Sequence, residues 1–121
     1  MFLTPLKVEE CGNDKWRLLD HLKYESLEDD IIVIPKGFVT DFASVPRIPI
    51  AFLLVGDVAH RAATLHDYCY SFDSPVSRQE ADSLLKEAAR AEGTSWWRCQ
   101  LLWLGVRMFG EPFYKAKKKK C

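Results

Sequence analysis

Within these 121 residues no apolar run approaches the ~18 that a membrane-spanning helix needs. The start, Met1-Phe2-Leu3-Thr4-Pro5-Leu6, lacks the basic n-region and long apolar stretch of a secretory signal. Together these absences place the expected protein in a cytosol. Cysteine is sparse: Cys11, Cys69, Cys99 and Cys121. No two of them stand as C-x-x-C, which argues against a structural zinc site. Free thiols are expected in a reducing compartment. Cys69 and Cys99 fall in helical apolar patterns and read as small core residues, whereas Cys121 is placed to cross-link to another chain in an oxidising medium. A nucleophile elbow, a phosphate-binding glycine loop and a dinucleotide fingerprint are missing, as are internal repeats. Net charge is missing too, with 17 basic and 17 acidic residues.

That zero is unevenly made. Five lysines sit in Lys115-Ala116-Lys117-Lys118-Lys119-Lys120-Cys121, which leaves residues 1–114 at about −5. An acidic body lacks the broad basic face of a nucleic-acid binder, so no specific nucleic acid is expected. Residues 1–114 read as one globular domain, long enough to bury a core without staples, and 115–121 as a basic flexible tail.

Apolar patterning then divides the chain. Leu6 to Cys11 and Trp16 to Tyr24 read as strands around the turn signal Gly12-Asn13-Asp14. Ile31-Ile32-Val33-Ile34 is a β-branched strand stopped by Pro35, and Pro35-Lys36-Gly37 is a turn. Residues 37–49 carry too much proline and glycine for a helix and read as an ordered loop containing Asp41 and Ser44. After a short apolar stretch at 50–55, Asp57 is placed to cap a helix that ends near Tyr70. Its core stripe is Val58, Ala62, Leu65 and Cys69, with His66 at the border and His60, Thr64 and Asp67 further round. Ser77-Arg78-Gln79-Glu80 has the form of a capping box. The helix it opens shows Ala81, Leu84, Leu85, Ala88 and Ala91 on one face and stops at Gly93. Asp82, four residues after Arg78, is placed to pair with it on the surface. Ser95 opens a last helix to about Phe109, with a stripe of Trp97, Leu101, Leu104 and Met108. It is apolar on so many sides that it is either central or in contact with a partner. Arg98 and Arg107 read as stem-packed surface residues. The expected class is α+β: a small N-terminal antiparallel sheet of about three strands, an ordered loop and three helices.

The chemistry concentrates between His60 and Tyr70. His66 is suited to proton transfer near neutral pH. Asp67 is adjacent, so the two side chains diverge by about 100° and each needs a partner from elsewhere. Asp82 on the next, antiparallel helix and Asp41 on the preceding loop are the available carboxylates. Three readings stay open: a divalent cation site, calcium or zinc, with Asp67 and Asp41 as ligands; a metal-free dyad of His66 and Asp82; and a buried polar network that locks the helices and loop together. Cys69 is a weaker nucleophile candidate because it shares the core stripe.

The segments from Gly37 to Arg47, His66-Asp67-Tyr68-Cys69-Tyr70, Ser77-Arg78-Gln79-Glu80-Ala81-Asp82 and Val106-Arg107-Met108-Phe109-Gly110 together resemble a family of small uncharacterised proteins. That family is domain of unknown function 1353, found mainly in phages and prophages. Its recurrent polar positions match at Asp41, Ser44, Arg47, His66, Asp67, Tyr70, Arg78 and Asp82; His60 lies outside them. The resemblance implies a phage or prophage origin and brings no established activity. His66 to Tyr70 is also similar to the His-Asp-x-Cys-Tyr helix motif of secreted phospholipases A2. There the His activates a water, the adjacent Asp binds calcium, and an Asp on a neighbouring antiparallel helix orients the His. By that likeness the roles fall to His66, Asp67 and Asp82, although the glycine-rich calcium loop and disulfide framework have no counterpart here.

Two functional classes follow, with a third beside them. One is a small hydrolase acting on lipid or cell-wall bonds during lysis or entry, with His66 and Asp82 catalytic, Asp67 and Asp41 on a metal, and Ser44, Arg47, Tyr70, Arg78 and His60 in support. Another is a non-enzymatic virion or tail component that oligomerises through the last helix. The third is an intracellular modulator of a host protein. Each places the protein in the host bacterial cytoplasm, with incorporation in the virion expected for the second.

Overall fold

β-Branched residues are denser in the first forty positions than in the last sixty, where alanine gathers, and the chain divides accordingly. The computed structural model describes residues 1–12, 15–41, 60–71 and 73–115. Five strands come first: β1 (Val8–Gly12), β2 (Lys15–Leu18), β3 (Leu22–Glu25), β4 (Ile31–Ile34) and β5 (Val39–Thr40). Three helices follow among the described residues: α1 (His60–Tyr70), α2 (Arg78–Ala91) and α3 (Trp96–Phe109), with a 3₁₀ turn at Glu111–Phe113. The α+β class and the order of strands before helices are as the sequence implied.

The strands form two antiparallel sheets, ordered β1-β2-β5 and β3-β4, where about three strands in one sheet were expected. The run Trp16 to Tyr24 divides in two. Leu19 donates its amide to the Lys7 carbonyl, and the Asp20 carboxylate accepts the His21 amide at 2.8 Å. That local side-chain bond turns the backbone away from β2, so β3 pairs with β4, Leu22 opposite Ile34 and Tyr24 opposite Ile32. The N-terminus lies along the other edge of β3, with Leu3 donating to Lys23 and Glu25 to Met1. Part of the expected loop is strand as well: β5 pairs with β2, Trp16 opposite Thr40. The register of β1 on β2 shifts between Glu10 and Gly12, a bulge at Cys11. Cys11 is disulfide-bonded, which corrects the expectation of a free thiol there; Cys69 and Cys99 are free and buried.

Small residues set the helix packing. Ala62, Leu65 and Cys69 of α1 are fully buried, as are Ala81, Ala88 and Ala89 of α2; short side chains let α1 and α2 approach closely. Ala91, expected in this face, is exposed and Ala89 takes its place. The Ser77 hydroxyl caps α2 by accepting the Glu80 amide at 3.2 Å, and Gly93 at φ +96° takes the left-handed position past its end, which costs glycine nothing. Ser95 stands at the start of α3 but its hydroxyl makes no capping bond. From the first turn of α1, Arg61 ties the helices to the N-terminal segment. Its guanidinium grips both Glu92 oxygens at 2.5 and 2.7 Å, donates to the Thr4 carbonyl and stacks over Phe2. The C-terminal segment returns to the α1–α2 connection, where the Tyr114 hydroxyl donates to Val76 and Lys115 to Ser71 and Ser74. The expectations for residues 50–55, Asp57, Val58 and the rest of the lysine tail lie outside the described residues.

Candidate functional site

Helix α1 presents two polar faces. His66 and Tyr70 are one turn apart and share a face, their rings 4.1 Å apart between centroids. Asp67 lies about 100° round and meets the sheet: the Thr40 hydroxyl of β5 donates to its Oδ2 at 2.5 Å. The faces flanking the core stripe are therefore buried too, with Thr64, His66 and Asp67 all below a tenth exposed. α1 packs along α2 and meets β5, which leaves these polar residues little contact with water.

Asp82 is the hub. It sits early in α2 opposite the end of α1, the juxtaposition implied by a short connection between antiparallel helices, and it is fully buried. Oδ1 lies 2.9 Å from His66 Nε2 and accepts the Tyr70 hydroxyl at 2.5 Å. Oδ2 accepts Arg107 Nη1 of α3 at 2.9 Å. Burial by itself would raise the carboxyl above its ordinary value. The hydrogen bonds from His66 and Tyr70, the charge of His66 and the Arg107 hydrogen bond outweigh it, and the group is held below 3.8. A carboxylate only accepts, so Nε2 of His66 carries its hydrogen toward Asp82. In neutral His66 the lone pair then resides on Nδ1, which has no hydrogen-bond partner among the described residues. Tyr70 is held in its hydroxyl form: burial, the Asp82 bond and the Asp82 charge raise it, against a smaller opposing effect of Arg78.

Arg78 takes a different role from the surface pair with Asp82 that its spacing suggested. Nη2 donates to the carbonyls of Val106 at 2.9 Å and Arg107 at 2.7 Å in the last turn of α3, where the Val106 carbonyl also accepts the Gly110 amide. It thereby holds the end of α3 from which Arg107 reaches Asp82. Tertiary geometry wins because Asp82 faces inward and already has three donors there. Arg107, expected as a surface residue, is the ion-pair partner of a buried carboxylate. Gly110 completes the junction: a Cβ there would lie 2.4 Å from the Val106 carbonyl and 2.6 Å from the Tyr70 hydroxyl.

The structure thus brings His66, Asp82 and Tyr70 together, with Arg78 beside them, and puts Asp67 on the adjoining face. Asp41 follows Thr40 in the chain and is half-buried. His60 opens α1 six residues before His66, an axial separation of about 9 Å. Ser44 and Arg47 lie outside the described residues. Among the described residues no three His, Cys, Asp or Glu side chains converge as a cation site. Cys69 is fully buried, and burial above all pushes its thiol up to about 12, so it carries no thiolate at neutral pH. Arg107 and Thr40 are the participants the residue pattern did not single out. An arginine interrupting an otherwise apolar helix face was the available signal for the first; nothing local marked the second.

No helix among the described residues is long and apolar enough to cross a membrane. Residues 16–106 match the model of a family described as Protein of unknown function (DUF1353), and the chain belongs to that family. Neither a curated protein nor a solved structure matches it.

Proposed function

We propose that this member of DUF1353 is a small hydrolase in which Nδ1 of His66 takes a proton from an attacking water. The observation that carries the reading is the fixed tautomer. Asp82, an anion with three donors, holds Nε2–H at 2.9 Å and leaves the basic nitrogen on the other side of the ring. Asp82 and Tyr70 then orient the ring and stabilise its cation, Arg107 keeps Asp82 ionised, and Arg78 holds Arg107 in place. Asp67 and Asp41 are the residues that would hold a divalent cation, calcium or zinc, which would supply Lewis-acid polarisation of the bond under attack. The substrate class is an ester or amide of lipid or cell wall, met during lysis or entry by a phage-encoded protein in its bacterial host.

The test is hydrolysis of phospholipid vesicles and of peptidoglycan by the purified chain, wild type beside His66→Asn, with metal content measured on both. Turnover that falls by about 10²-fold or more in a folded variant supports a general base. Wild-type protein that turns over neither substrate class overturns the reading.

A second reading has its own observation. All three donors to Asp82, and the Thr40 donor to Asp67, come from the chain itself, which is how a folding lock is built. On that reading the protein is a virion or tail component, or an intracellular modulator of a host protein. It co-purifies with particles or a host protein and hydrolyses nothing.

A further inference from the structure

Helix α3 is apolar on two opposite sides. Cys99, Leu102 and Val106 are buried against the rest of the protein. At 100° per residue, Trp97, Leu101, Leu104 and Met108 fall in a narrow arc on the other side, and they are 54, 45, 46 and 63% exposed. Trp96 and Phe109, 67 and 52% exposed, widen the patch at its ends. No charged residue falls within that arc. Arg107 turns inward to Asp82, and Arg98 lays its guanidinium over the Trp97 ring at 5.2 Å. With ~150–250 Å² for a large side chain, the exposed share of these six comes to roughly 700 Å². Soluble monomers seldom leave more than a few hundred Å² of contiguous apolar surface in water.

The stripe's own pattern selects its occupant. Its spacing along the helix is four, three, four and reads the same in both directions. A twofold axis at the level of the Leu102–Trp103 midpoint lays Trp97 on Met108 of a second copy and Leu101 on Leu104 of that copy, apolar on apolar at every level. Two such patches bring about 1,400 Å² together, within the ~1,200–2,000 Å² of stable interfaces. Equal numbers of basic and acidic residues leave no net repulsion between copies. A bilayer surface is instead recognised by a row of cations flanking the apolar face, and of the two arginines of α3 Arg107 is turned inward to Asp82. We infer that this face is a homodimer interface in which α3 packs antiparallel on α3 of a second copy. It stands apart from the His66 site, and neither inference depends on the other.

Sedimentation velocity of the full chain over a micromolar concentration series tests it, run with and without reductant so that disulfide cross-links are not read as association. Wild type is expected as a concentration-dependent dimer in both conditions. Leu101→Glu and Leu104→Glu are each expected to associate at least about 30-fold more weakly. Both positions face solvent in the single chain, so far-UV circular dichroism of the variants is expected to match wild type. A wild type that stays monomeric throughout overturns the inference, and so does a Leu104→Glu chain that dimerises as wild type does. Flotation with phosphatidylglycerol vesicles is the third arm. Monomeric wild type that floats, with Leu104→Glu left behind, assigns the face to lipid and overturns the dimer.

Discussion

Replacing Asp82 by Asn keeps the shape of the hub and removes its charge. The amide oxygen still accepts from His66 and Tyr70, but the group facing Arg107 becomes a donor. One charge-assisted hydrogen bond is lost, and two donors now oppose each other. Such a bond contributes about 1.5–3 kcal/mol, and stranding a fully buried ion costs about 3–5. The Arg107 side chain is 31% exposed, so water takes up part of its charge, and a loss of about 2–3 kcal/mol is expected. Urea unfolding at neutral pH measures it as a fall in midpoint at unchanged slope. The pH dependence supplies the sharper check. The folded Asp82 carboxyl titrates below its ordinary 3.8, so the unfolded chain binds its proton first as pH falls. The stabilisation is therefore complete above the ordinary carboxylate range and disappears as pH drops through the lower folded value. The gap between wild type and Asp82→Asn should narrow as pH falls below about 4. A gap of the same size at every pH, or one under about 0.5 kcal/mol at neutral pH, refutes the reasoning.

Two further perturbations test the packing around the hub. Gly110→Ala forces a Cβ against the Val106 carbonyl and the Tyr70 hydroxyl, and a thermal melt should show a loss of about 1–3 kcal/mol, larger than alanine's usual effect at a helix end. Iodoacetamide at neutral pH should leave Cys69 and Cys99 unmodified in the native protein and alkylate both in urea, read by peptide mass, because burial raises both thiols and closes access to them.

What could be read from the residues follows the range of the interactions responsible. Helix α2 is the clearest case. Its capping serine and its terminal glycine act within one turn of chain and do in the fold what the pattern implied, and its apolar period does so up to Ala88, with Ala89 buried in place of Ala91. The end of α1, the short connection and the approach of His66 to Asp82 follow from the same local signals plus a two-helix hairpin. Where two local signals compete, the sequence is mute: the Trp16 to Tyr24 run reads as one strand, and the Asp20 turn onto the His21 amide divides it between two sheets. Arg78 and Asp82 show the same limit at the site. Helical spacing allowed them to pair, but spacing says nothing about which side of α2 faces the core. The partners that settled the matter are 28 and 25 residues away, at Val106 for Arg78 and at Arg107 for Asp82. Thr40 reaches Asp67 across 27 residues. By itself the sequence determined the class and the helices and narrowed the carboxylates within reach of His66 to Asp82 and Asp41, because these rest on periodicity and chain reach. Tertiary structure alone decided which donors surround that carboxylate, and hence its charge and the tautomer of His66. Desolvation and hydrogen bonding in a buried site depend on every group packed there, however distant in the chain.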